Sequence, residues 1–115
     1  MTAPNDTNTI DREAIAAKLD EARALVERGW TQDNFAQDAS GQLVVSNSPE
    51  AVCFCAAGAV GRVQAPWWES LAALEKAVGT NNIVVWNDAP ERTQAEVVEA
   101  FKRAAAGLRS GEITL

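Results

Sequence analysis

Histidine is absent from all 115 residues of this chain. Its absence removes the usual general base for a thiol or hydroxyl nucleophile, and with it most zinc sites, which take about four Cys or His ligands. Only two cysteines are present, Cys53 and Cys55. Read as part of one helix they project to nearly opposite sides and cannot pair. No disulfide, metal site or cofactor is therefore expected. Basic residues are also scarce: ten Lys and Arg stand against sixteen Asp and Glu, a formal net charge of -6. A direct nucleic-acid binder needs cations to displace counterions from phosphates, so direct nucleic-acid binding is not expected. The acids are interleaved with bases, the pattern of solvated helix faces, which supports a nucleic-acid mimic only weakly.

Long apolar runs are missing too. The longest uncharged apolar run, residues 51–61, falls short of the roughly 18 needed to span a bilayer. Residues 1–9 lack the basic start and apolar stretch of a secretory signal. No membrane association and a cytoplasmic location are expected, where both thiols stay reduced.

What is present describes an ordinary soluble domain: 47% hydrophobic and 23% charged residues, at a length that supports one core without staples. The reading is a mainly α fold, with a flexible tail at 1–9, one globular domain at 10–109 and a C-terminal tail at 110–115. Ile15, Leu19, Ala22 and Val26 recur at helical spacing, predicting a helix over 10–28 that stops at Gly29. Residues 35–45, with a Gly in the middle, suggest a short β-hairpin or a loop over the core. Ser48-Pro49-Glu50 has the form of a helix start, and the uncharged run behind it predicts a buried central helix over 49–63. Its small residues at 56–59 would let neighbouring helices approach closely. Pro66 and Gly79 bracket a third helix, 67–78, with Trp67, Leu71, Leu74 and Val78 as its core stripe. Ile83-Val84-Val85 favours a short strand, with a helical turn capped by Asn as the alternative. Thr93 with Glu96 forms a capping box opening the last helix, 94–108.

The order Gly29-Trp30-Thr31, Asp38-Ala39-x-Gly41, Cys55-x-x-Gly58-Ala59 and Trp86-Asn87-Asp88-Ala89-Pro90-x-Arg92-Thr93 resembles a family of small bacterial and phage proteins of unknown function. The likeness covers about residues 12 to 106. It implies no activity, substrate or cofactor. Two positions depart from the family's pattern: Phe54 stands where Trp is common before the cysteine, and Gln94 where some members carry His.

Three sets of residues are candidate sites. Cys55, near a helix start, has the placement of a nucleophile, with Asn87 or Asp88 to orient a substrate; the plain alternative is a small buried hydrophobe. Asn87 and Asp88 fit an Asx-type turn that shapes the corner before Pro90, with Arg92 paired to Asp88 across it. Among the tryptophans, Trp30, Trp67 and Trp86 are expected in the core, whereas Trp68, flanked by Glu69 and Glu75, is expected to be partly exposed. An exposed Trp is the residue type most enriched at interface hot spots. The leading expectation is a small acidic interaction or regulatory module of the kind phages and mobile elements carry, binding a protein partner through Trp68, Asp88 and Arg92. The alternative is a cysteine-dependent enzyme using Cys55 with Asn87 and Asp88.

Overall fold

The computed structural model describes residues 11–115; the expected tail at 1–9 lies outside them. Helix α1 (Arg12–Arg28) begins where the Asp11 side chain accepts from Ala14 N–H and buries Ile15, Ala16, Leu19, Ala22 and Val26. Gly29 ends it by donating to the Leu25 carbonyl. The chain then runs through an irregular segment into β1 (Ala36–Gln37), which pairs antiparallel with β2 (Cys53–Phe54). Four further helices follow: α2 (Ala56–Arg62), α3 (Trp67–Val78), α4 (Ile83–Asp88) and α5 (Gln94–Ser110). The fold is thus mainly helical with one small sheet. The most extensive helix pairing is α1 on α5, and α3 also packs on α5. Phe101, Leu19, Leu74, Ile83, Leu108 and Val60 are fully buried at the centre.

The expected central helix over 49–63 is half the length predicted. Ser48 and Pro49 form a turn, in which Ser48 Oγ accepts from Glu50 N–H and the Ser48 carbonyl from Ala51 N–H. Residues 53–54 are strand, and the helix starts only at Ala56 with Cys55 as its cap. An uncharged run reads the same whether it is a buried strand or a buried helix. Here the extended form wins because both backbone groups of Phe54 find partners in the segment after α1: its N–H donates to the Gly29 carbonyl and its carbonyl accepts from Thr31 N–H. At Gly58 the close approach is made by the backbone just before β1, where a Cβ would collide with the Phe35 carbonyl oxygen, while α1 also packs on α2.

The turn at 38–41 forms as a tight loop. Asp38 Oδ1 accepts from the Ser40 and Gln42 N–H groups, and Gly41 takes φ 86°. Its return arm contributes only one bridge, Leu43 to Gln37; the main partner of β1 is β2.

At 83–88 the helical alternative prevails over the strand. Asn82 Oδ1 accepts from Val84 and Val85 N–H at 3.1 Å each, and Glu75 Oε2 accepts from Ile83 N–H. With three opening N–H groups satisfied, capping outweighs the β preference of Ile and Val. On α3 the stripe is shifted: Ser70, Ala73 and Leu74 are buried, Leu71 and Val78 are partly covered, and Trp67 lies at the surface.

The capping box of α5 is complete, with Thr93 Oγ1 accepting from Glu96 N–H at 3.2 Å and Glu96 Oε1 accepting from Thr93 N–H at 2.9 Å. Thr93→Ala is expected to cost about 1 kcal/mol in urea melts. The Thr93 N–H holds the Glu96 carboxyl below its ordinary value. That contribution is therefore present above the unfolded carboxylate range and fades as pH falls through the folded value. Beyond α5, Gly111 takes φ 85° and the chain turns back to lay the largely buried Ile113 beside Gly107.

Candidate functional site

Asn87, on the last turn of α4, is completely buried. Its side chain reaches three separate parts of the chain. Oδ1 accepts from the Trp30 indole Nε1 at 2.9 Å and from Ala56 N–H at 3.0 Å. Nδ2 donates to the Thr31 carbonyl at 3.2 Å and to Asp88 Oδ1 at 2.9 Å. A carboxamide has two donors and two acceptor sites, and all four are used. The local Asx turn expected at this residue is therefore replaced by a long-range junction. It pins the end of α4 to the first residue of α2 and to the segment after α1.

The neighbouring side chains reinforce that junction. Asp88 Oδ1 also accepts from Asp33 N–H at 2.9 Å, in a loop where Asp33 takes φ 70°. Gln32 Nε2 donates to the Asn87 and Ala89 carbonyls, at 3.0 and 2.8 Å, closing the C-terminal end of α4. Arg92 does not pair with Asp88. Its Nε donates to the Trp86 carbonyl at 2.8 Å, its guanidinium carbon sits 4.0 Å from the centre of the Trp86 ring, and its Nη1 lies 3.5 Å from Glu96. A planar cation gains from stacking on an indole face, and that geometry places the guanidinium away from the carboxylate two residues before Pro90. Gln94 reaches across to α1, donating to the Val26 carbonyl at 2.7 Å and so capping the end of that helix.

Cys55 lies one residue from the junction and is 2% exposed. Its Sγ accepts from Gly58 N–H at 3.2 Å, the work of an N-cap side chain. Burial pushes its thiol above the ordinary value, and the negative charge of Asp88 adds in the same direction, while the N–H groups of Gly58 and Ala57 oppose both. Nucleophilic thiols show the reverse, a lowered value at an accessible position. The arrangement therefore brings Cys55, Asn87 and Asp88 together, but commits them to bonds within the fold. Native thiol labelling should modify the half-buried Cys53 first. Cys55 should react at least ~100-fold more slowly than an unfolded thiol, because it must await an opening of the structure. Rapid labelling of Cys55 in the folded protein would contradict this.

Trp68 is far from this cluster in character: 77% of its surface is exposed. Trp30 and Trp86 are partly buried against the core. Trp67 meets Phe35 edge-on, with ring centres 6.5 Å apart. The exposed Phe35 was not marked by the sequence, because nothing in a loop segment distinguishes a packed phenylalanine from a solvated one. Among the described residues no group of three or more His, Cys, Asp or Glu is placed to hold a metal ion. No helix among them is long and apolar enough to cross a membrane.

Comparison with known proteins returns one family model, described as a family of unknown function (DUF6197), which matches residues 11–107. No curated protein and no solved structure matches the chain.

Proposed function

The chain belongs to this family of unknown function, so its own surface must carry the reading, and we propose that it is a small acidic module that acts by contact with a protein partner. The observation that carries this is Trp68, left 77% exposed on α3. A tryptophan facing water forgoes the largest burial gain of any side chain, and Trp is the type most enriched where interfaces concentrate their binding energy. Trp68 sits in the first turn of α3, whose buried Ser70, Ala73 and Leu74 anchor the helix that carries the indole. The polar residues that would otherwise suggest chemistry support the same reading, since Cys55 and Asn87 are buried and bonded internally. Asp88 and Arg92, candidate contact residues by sequence, are likewise engaged within the fold. The contact is therefore assigned to Trp68 rather than to the corner at 86–93. A regulatory role in a phage or mobile element fits such a module.

The test is photo-crosslinking in the producing cell, with a benzophenone amino acid at position 68 and, as control, at the exposed Arg12. Discrete adducts at 68 that are absent at 12 are expected, and the same adduct profile at both positions would sink the proposal. Trp68→Ala should leave stability within about 0.5 kcal/mol, as for other surface changes, so a lost contact can be told from a lost fold.

A further inference from the structure

The small sheet has an apolar face on each side, and only one is covered. Its inner face carries Ala36 and Phe54, both buried, with Val44 packed against the same core. Side chains alternate along a strand and cross-strand partners share a face. The register pairs Gln37 with Cys53 and with Leu43, which puts these three on the outer side, and Phe35 and Val45 lie two residues from Gln37 and Leu43 and so on the same side. Phe35, Leu43 and Val45 therefore share the outer face, and they are 50%, 69% and 67% exposed. Antiparallel sheets with one solvated side normally alternate apolar inside with polar outside. Here the outer side carries Gln37 among exposed apolar side chains, and Trp67 meets Phe35 edge-on beside it.

The edge of this sheet is open too. The Leu43 bridge is made by its neighbours, Val44 N–H to the Ala36 carbonyl and Asp38 N–H to the Gln42 carbonyl. In that pattern the N–H and C=O of Leu43 point away from β1. They present a free strand edge of the kind extended segments add to.

Charge selects among occupants. Asp33 precedes Phe35 by two residues, Asp38 sits in the turn between Gln37 and Leu43, Glu50 in the turn before β2 and Glu69 two residues beyond Trp67, and none of the four is in an ion pair among the described residues. Arg62 is turned inward: its Nη1 donates to the Ser46 and Ser48 carbonyls at 3.1 and 2.6 Å, and it lies over the Phe54 ring. A second copy of the chain would bring two acidic rims together, and a nucleic acid or anionic bilayer would meet the same repulsion.

We infer that the outer face of the sheet, Phe35, Leu43 and Val45 with the edge at Leu43, receives an extended segment of a partner protein, apolar at its centre and rich in Lys and Arg at its flanks. This rests on the reading of the chain as a contact module, and adds a surface and a partner chemistry to it. The apolar side chains supply the anchor, main-chain bonds at Leu43 set the register, and the acidic rim selects basic flanks.

The test is selection of a displayed random-peptide library against the folded full-length protein, followed by titration of the enriched peptides. Enriched sequences should carry net positive charge around apolar residues. Their binding should be lost in Leu43→Ser/Val45→Ser, which replaces only exposed side chains and should keep the wild-type melting curve. Glu50→Gln/Glu69→Gln should weaken it about fivefold, and added salt should weaken it further. Enrichment of neutral or acidic peptides, no enrichment, binding indifferent to Leu43→Ser/Val45→Ser, or a dimer of the chain that this variant abolishes would each overturn the inference. A position-68 crosslink that persists in that variant would leave the contact-module reading standing while removing the sheet from it.

Discussion

Asn87→Ala is expected to destabilise the protein by on the order of 4 kcal/mol, a large share of the about 5–15 kcal/mol that holds a domain folded. The substitution strands the Trp30 indole N–H, the Ala56 N–H and the Thr31 carbonyl, all bonded to the Asn87 side chain. A buried polar group left without a partner costs about 1–3 kcal/mol. Water admitted to the vacated space recovers part of this, which keeps the total below a simple sum. Asn87→Asp separates the two halves of the junction. It retains acceptors for Trp30 and Ala56, but sets a buried carboxylate against the Thr31 carbonyl and the Asp88 carboxylate. The new carboxyl should therefore have a folded value above its unfolded one. A group shifted up favours the fold at low pH and loses that contribution as pH rises through the folded value. The deficit of Asn87→Asp relative to wild type should accordingly be smallest in mild acid and largest near neutrality. Urea melts of the three proteins across that range are the measurement. An Asn87→Ala change costing less than about 1 kcal/mol, the scale of a solvent-exposed bond, would mean that the junction carries no weight.

The second large effect comes from one methyl group. Gly58 lies within α2, where Gly→Ala ordinarily stabilises by up to about 1 kcal/mol. The sign should reverse here. A Cβ at this position would overlap the Phe35 carbonyl oxygen, a backbone atom that already accepts the Cys55 N–H at 3.2 Å. Relief requires moving the Phe35 backbone off the helix, which breaks that bond and loosens Ala36, so Gly58→Ala should cost about 3 kcal/mol net, at the upper end for overpacking. Gly61→Ala in the same helix is the control. Its Cβ would meet Ser46 and Trp67 at 3.7 Å, ordinary contact distance, and should be neutral or stabilising by a few tenths of a kcal/mol. Thermal melts of the pair settle the matter, because propensity alone predicts the same sign for both.

The legible parts of the fold were those with punctuation. Pro66 and Gly79 bound α3 where the sequence indicates, and Thr93 with Glu96 opens α5, because caps act through bonds spanning three or four residues and so leave a local trace. Where information is long-range the sequence was mute. Phe54 is extended because Gly29 and Thr31 offer it partners more than twenty positions away, and Val52 because the Gln37 carbonyl accepts its N–H from fifteen positions away. The β preference of Ile83 to Val85 pointed to a strand, while the caps from Asn82 and Glu75 made a helix. Trp67 had the spacing of a core residue, but α3 is rotated so that the small Ser70 and Ala73 face inward. At the candidate site, the sequence marked Asn87, Asp88 and Cys55 without indicating what joins them. It supplied the residues, and the fold supplied the bonds.

The Trp30 to Asn87 bond also ties together parts of the chain that would otherwise open separately. Its two ends are 57 residues apart in sequence, so the indole proton is sheltered only while α4, α2 and the segment after α1 are all in place. No local fraying can release it. Its solvent exchange then reports the free energy of opening the whole junction, whereas the exposed indole of Trp68 exchanges from the native state itself. The four tryptophans of this chain thus include a built-in gauge of cooperativity at one end of the scale and an unprotected reference at the other.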